Sequence, residues 1–223
     1  MQTTITISEI KKTSSVLYNH LINIKLIKKL ICLYQISNNE SLRNGCLTPE
    51  VGSFREKDLI AYLLSNKKLN VNYNISNNKI EDVIINNKKI SIKHSSNKII
   101  CKNGIKIIWS VNKIKQNEFI KKFIFTCDLL IIFIRFDNNI NNGNIEIIYI
   151  TKEILSKQHF LSLIRKESIF NCLNGNSRGI EFSTKFFSTI ISNCEFHIKI
   201  KFTNIININF DPILKRLKML KVF

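Results

Sequence analysis

Three charged residues carry the strongest chemical signal in the chain: Glu56, Asp82 and Lys93. Within residues 79–96, the β-branched runs Val83–Ile85 and Ile90–Ile92 flank a polar Asn86–Lys89 segment, which predicts a β-hairpin. A two-residue turn centred on Asn87-Lys88 sets Val83 opposite Ile92 and Asp82 opposite Lys93. Opposite residues face the same side of a sheet with Cβ atoms about 5 Å apart, so a carboxylate and an ammonium stand side by side. Ser91 shares their face, while Val83, Ile85, Ile90 and Ile92 turn to the buried one. A carboxylate beside a lysine suits metal-dependent hydrolysis of a phosphodiester. The acid holds Mg²⁺, the metal activates water and stabilises charge on the phosphate, and the lysine orients or deprotonates that water. The plainer alternative is a cross-strand ion pair on a solvated hairpin, worth less than about 1 kcal/mol.

Upstream, Ser53 to Glu56 has the Ser-x-x-Glu spacing of a capping box opening a helix. Glu56, Ile60 and Leu63 then lie on one helix face with the apolar stripe. A carboxylate there must tuck back to the cap or point at something that compensates its charge. The two readings give Glu56 either a capping role or a place in the metal site.

Asp82 followed by Ser91-Ile92-Lys93 resembles the PD-(D/E)xK motif of type II restriction endonucleases. The resemblance covers roughly residues 50–151. It implies that Asp82 binds the metal, that Lys93 is catalytic, and that Glu56 supplies a helix carboxylate reaching the same site. The carbonyl of Ile92 is a further candidate ligand. Two departures are visible: Glu81 stands in the position of the proline, and Ser91 in that of the second acid. Glu81 is the substitute carboxylate if Glu56 is only a cap. The resemblance also implies a symmetric homodimer with one active site per strand of a palindrome, and a cognate DNA methyltransferase as genetic partner.

The whole chain is compatible with this chemistry. At 223 residues and 44% hydrophobic it is long enough to bury a real core. Its formal charge of +18, from 34 basic and 16 acidic residues, favours a polyanion and above all double-stranded DNA. The Ile-, Asn- and Lys-rich composition of AT-rich coding explains many lysines, but explains the scarcity of acids less well. A non-catalytic, basic nucleic-acid-binding protein is the contrasting function. Such a binder would not depend on Asp82 or Glu56.

No apolar run is long enough for a membrane span and no secretory signal is present, so a cytoplasmic protein without a membrane partner is expected. The six cysteines lack C-x-x-C spacing or neighbouring histidine pairs, which disfavours zinc. No P-loop or G-x-G-x-x-G occurs, which disfavours ATP and dinucleotides.

The expected fold class is α/β, a restriction-endonuclease-like mixed sheet flanked by helices in αβββαβ order. Residues 1–49 form an N-terminal helical segment, 50–151 the catalytic core, and 152–223 a helix and hairpin region for DNA recognition or dimerisation. In detail, helical spacing runs from Ser8 to about residue 36, with a loop over 37–49. A turn at Asn103-Gly104 leads to a third strand bearing Trp109. A helix follows over 113–126, then strands at Cys127–Phe136 and Ile145–Ile150 and a helix at Lys152–Phe170. Residues 180–191 are amphipathic, and 196–202 with 205–210 close a hairpin. Candidate DNA contacts are Ser95, Lys102 and Arg178, the last in a Gly-rich loop where it could meet guanine or a phosphate.

Overall fold

Asp128–Phe136 is apolar at every second position on both faces, and that pattern places the main sheet in the middle of the protein. Leu130, Ile132 and Ile134 enter one core, while Leu129, Ile131 and Phe133 enter another. A computed structural model describes residues 3–43, 50–64, 69–73, 81–95, 105–108, 112–173 and 179–205.

In chain order the elements are β1 (Thr4–Lys11), α1 (Val16–Leu21), α2 (Ile24–Arg43), α3 (Glu50–Leu64), β2 (Val71–Asn72), β3 (Val83–Ile85), β4 (Lys88–Ser95) and β5 (Lys106–Ile108). Then come α4 (Lys113–Lys122), β6 (Asp128–Phe136), β7 (Gly143–Ile150), α5 (Lys152–Ile164), β8 (Phe170–Leu173), β9 (Gly179–Phe182), α6 (Thr184–Ser192) and β10 (Phe196–Thr203). The seven-stranded sheet has the order β1-β10-β7-β6-β4-β3-β2, and a three-stranded sheet the order β5-β9-β8. Residues of α1, α2 and α3 pack in the first core. The second core takes the small sheet, α5 and α6, with Phe119 and Ile120 of α4 packed against it. β4 and β6 pair in parallel, Ile90 beside Asp128, and every other pair in the large sheet is antiparallel.

From α3 to β7 the expected order of one helix, a hairpin, a third strand, a helix and two strands is present, with the two-residue strand β2 added ahead of the hairpin. The third strand is displaced: β5 pairs with β9 in the small sheet instead of extending the hairpin. At the N-terminus, residues 4–11 are a strand where a helix from Ser8 was expected. Thr and Ile alternate there, and Thr4 to Lys11 pairs antiparallel with β10. The helix cap is Ser15, whose hydroxyl accepts from Tyr18 N–H at 3.1 Å. α2 runs on to Arg43, through the Ser37-Asn38-Asn39 stretch read as a loop. Ser37 is fully buried and donates to Asp58 of α3, so its hydroxyl finds a partner without breaking the helix.

α5 stops at Ile164, short of Phe170. Lys166 takes φ 54° and donates its N–H to Leu163, while Glu167 N–H donates to Ser162. A left-handed residue closing the last carbonyls ends a helix as glycine usually does. Phe170–Leu173 then becomes β8, and the amphipathic 180–191 segment divides into β9 and α6 around the cap Ser183. α4 also ends early, at Lys122. β10 pairs with β1 and β7, and the expected partner strand within 205–210 lies almost wholly outside the described residues. The Asn103-Gly104 turn and Trp109 lie outside them too.

One glycine is fixed by close approach. A Cβ on Gly143 would meet the carbonyl oxygen of Arg135 and come within 2.7 Å of Phe202 Cζ. Backbone on one side and a buried ring on the other leave no room to relax. Gly143→Ala is expected to cost about 1–3 kcal/mol. Thermal unfolding would register this as a midpoint lowered by roughly 2–4 °C per kcal/mol.

Candidate active site

The hairpin forms with a turn one residue earlier than expected. Asn86 and Asn87 take φ 49° and 66°, the left-handed pair that a two-residue hairpin turn requires. Asparagine tolerates that region, whereas the Asn87-Lys88 turn would force it on a lysine. The ladder therefore pairs Val83 with Ile90, Ile84 with Lys89 and Ile85 with Lys88. Moving the turn by one residue slides each partner by two, so the register points Asp82 toward Ser91 rather than Lys93. Because side chains alternate with period two, a slide of two leaves each on its original face. Asp82, Ser91 and Lys93 still meet.

Asp82 sits just before β3 and is held by the strand it faces. Its N–H donates to the Ile90 carbonyl at 2.9 Å. Its Oδ2 accepts from Ile92 N–H at 2.6 Å and from Ser91 Oγ at 3.1 Å, with Lys93 Nζ at 3.8 Å. Ser91 thus serves as a donor that fixes the carboxylate, in the position where the resemblance expects a second acid. Ile92 has a related role. In a strand a residue's N–H and C=O leave on the same edge. The ladder with β3 ends at Ile90, so the Ile92 carbonyl emerges on the edge next to Asp82.

Glu56 comes to the same place from α3, a helix of the first core. Ser53 lies inside α3, so the capping-box reading fails and Glu56 is a mid-helix residue. Its carboxyl lies near that of Asp82, close enough for the two to interact electrostatically, and its pKa is pushed up to about 7. Burial is the main cause and the Asp82 charge the next, with Lys93 and Lys57 opposing. Two neighbouring carboxyls can share a proton or be separated by a cation.

Glu81 pairs with Lys89 at 3.3 Å instead. Ser95 ends β4, two residues past Lys93 and on its face, half-buried and engaged. Lys102 and Arg178 lie outside the described residues.

Asp82, Ser91 and Lys93 line a cavity of about 440 Å³, together with Phe119, Phe123 and Phe125. Asp128 also lines it, and sequence reasoning passed it over. That carboxylate is already used: it accepts from Tyr149 Oη and, at 2.7 Å, from the N–H of Lys152 at the start of α5. Only its place before an apolar run marks it in sequence, and its partners are tertiary. Behind the strand, His94 turns to the first core and contacts Tyr34 Oη at 2.8 Å through Nε2. Burial, then the charges of Arg55 and Lys93, pulls its pKa down to about 3, so the ring is neutral.

Among the described residues no group of three or more His, Cys, Asp or Glu side chains is gathered for a metal. The carboxylates of Asp82 and Glu56, like a main-chain carbonyl such as that of Ile92, are hard oxygen donors of the kind Mg²⁺ takes.

A mixed sheet carrying an acidic pair and a lysine at the end of a hairpin, helices on its faces, is the architecture of a restriction-endonuclease-like nuclease. A solved restriction endonuclease in complex with substrate DNA has the same fold: TM-score 0.64 at 22% identity, covering 92% of this chain and 99% of that one. No curated protein matches the chain. The ThaI restriction endonuclease family matches residues 16–220, and the chain belongs to that family. It is a type II restriction endonuclease, a site-specific nuclease of DNA, and the non-catalytic binding alternative falls away. No helix among the described residues is long and apolar enough to cross a membrane.

Proposed function

We propose that this endonuclease cuts double-stranded DNA with Mg²⁺ held by Asp82, Glu56 and the carbonyl of Ile92. The observation that carries the reading is the juxtaposition of the Glu56 and Asp82 carboxyls, on separate elements and both within the influence of Lys93. An acidic pair so placed raises the energy of the empty site and favours a divalent cation. The solved relative bound to substrate DNA supports the choice of polymer. When bound, Mg²⁺ would polarise a phosphoryl oxygen and lower the pKa of a coordinated water.

The chain's own groups do the rest. Asp82 and Glu56 are the carboxylates that would hold the cation beside the scissile phosphate. Ser91 and the Ile92 N–H hold Asp82 in one rotamer, so no reorganisation is needed when charge develops. Lys93, a quarter exposed, either orients the attacking water and supports charge on the phosphoryl oxygens as an ammonium, or takes the water's proton as a free amine and becomes that ammonium. The excess of basic residues supplies sequence-independent attraction to the backbone. A homodimer cutting both strands of a palindrome, with a cognate methyltransferase protecting the host, completes the proposal.

The test uses purified protein and phage DNA with Mg²⁺ or EDTA, beside Lys93→Ala. Discrete fragments from the wild type with Mg²⁺ alone are expected. Cleavage that persists in EDTA, or in Lys93→Ala at the wild-type rate, would overturn the assignment.

A further inference from the structure

The hairpin and α3 are also linked through α2, on the side of the sheet away from the site. Arg55 and Glu56 are consecutive on α3, and Lys93 and His94 are consecutive on β4. Glu56 and Lys93 therefore each have a chain neighbour, Arg55 and His94, in the buried layer behind the site. His94 Nε2 meets Tyr34 Oη at 2.8 Å, with the two rings edge to face at 5.5 Å. Tyr34 is fully buried on α2. Arg55, 3% exposed, donates to Asn38 of α2 at 3.3 Å. Asp58, one turn along α3, accepts from Ser37 of α2. The charges of Arg55 and Asp58 both act on Tyr34, and that of Arg55 on His94.

We propose that the Tyr34–His94 contact, tied to α3 through Arg55, sets the distance between the Glu56 and Asp82 carboxyls, making Tyr34 and His94 positioning residues for the metal. The inference rests on the metal reading above and adds to it.

The physical argument is one of leverage and cost. Successive side chains on a strand point to opposite faces, so anchoring His94 behind the sheet fixes where Lys93 projects in front. Glu56 approaches from a different element, and helix and hairpin have no covalent tie near the site. Something must fix their relative placement to a fraction of an ångström, because small misplacements at a reacting centre cost up to about a hundredfold in rate. Apolar side chains of similar volume fill such a space at no desolvation cost. Directional hydrogen bonds define one arrangement of α2, α3 and β4 where an oily contact would permit several.

The experiment compares Tyr34→Phe with Gln35→Leu. Tyr34→Phe removes one hydroxyl and keeps the ring. Gln35 is the next residue on α2, also fully buried, but donates to the carbonyls of Ile140 and Ile205, away from the site. Its substitution gives a destabilised protein with the joint intact. Mn²⁺ binding is measured by calorimetry on the protein with uncut DNA, alongside the Mg²⁺ midpoint of single-turnover cleavage well below the unfolding temperature.

For Tyr34→Phe, Mn²⁺ affinity is expected to weaken about 3–10-fold, the Mg²⁺ midpoint to rise by the same factor, and DNA affinity in EDTA to hold. Gln35→Leu should lose thermal stability yet keep both metal constants within about twofold. His94→Gln, whose amide can still meet the Tyr34 hydroxyl, should be milder than His94→Leu, and this pair serves if Tyr34→Phe does not fold. Metal constants for Tyr34→Phe within twofold of wild type would overturn the joint. So would a Gln35→Leu shift as large as that of Tyr34→Phe, which would indicate general loosening. A wild type that binds no Mn²⁺ would remove the metal reading itself, a result distinct from a failure of the joint alone.

Discussion

Asp82→Asn is expected to lower the single-turnover cleavage rate by about a thousandfold or more at saturating Mg²⁺, with the fold intact. Asparagine keeps the size of the side chain and one oxygen to accept from Ile92 N–H and Ser91 Oγ. What is lost is the charge that, with Glu56, would hold the cation. Metal stabilisation of a phosphoryl transition state is worth several kcal/mol, and about 4 kcal/mol corresponds to a factor of 10³. Lys93→Ala should lose rate on a similar scale while leaving the Mg²⁺ midpoint near that of the wild type, because a cationic side chain is not a ligand. The two variants separate on the metal titration. An Asp82→Asn protein within tenfold of the wild-type rate would show that the metal is held elsewhere.

The parts of this site that were legible in sequence are those set by local alternation. Val83, Ile85, Ile90 and Ile92 declared a hairpin with one buried face, and period two then placed Asp82, Ser91 and Lys93 on the other. The register was not legible. Asn86-Asn87 and Asn87-Lys88 are both polar pairs, and only the positive φ at both asparagines selects the first. That error did no harm to the site, because a slide by two residues preserves the face. A slide by one would have buried Asp82 and Lys93. Glu56 was found for two reasons, of which one failed: the Ser-x-x-Glu spacing exists, but α3 begins at Glu50, ahead of it.

The rest depended on distant partners. Thr4–Lys11 becomes a strand by pairing with Phe196–Thr203, at the other end of the chain. β5 leaves the hairpin for β9 for the same kind of reason. A three-residue strand carries little local preference, and whichever edge is available decides its place. The buried polar residues were equally silent. Asp128 reads as a polar residue preceding an apolar run until Tyr149 and the first N–H of α5 come to it. His94 could be placed on the back of the strand by alternation, but Tyr34 lies on α2, and nothing in the spacing joins them.

Glu56→Gln is expected to make the metal-free protein more stable above neutral pH while removing cleavage. Glu56 has its pKa pushed up to about 7 in the folded chain, from an ordinary value near 4.5. Below about pH 4.5 the carboxyl is protonated whether the chain is folded or not, and burial costs it little. Between 4.5 and 7 the unfolded chain releases the proton and the folded chain keeps it, so stability falls as pH rises through that window. Above 7 the loss is complete. A neutral glutamine escapes it, so the variant should match the wild type near pH 4 and exceed it at pH 8. After discounting for water at the site and for coupling to Asp82, the gain is about 1–2 kcal/mol, or roughly 3–6 °C. Mg²⁺ should reverse the order. A ligand that binds only the folded state stabilises it in proportion to its affinity, and the wild type keeps the second carboxylate that the variant lacks. Thermal melts at pH 4 and 8, with and without Mg²⁺, distinguish the outcomes. A Glu56→Gln protein less stable than the wild type at pH 8 without metal would mean that the carboxylate is compensated within the fold and is not strained in readiness for a cation.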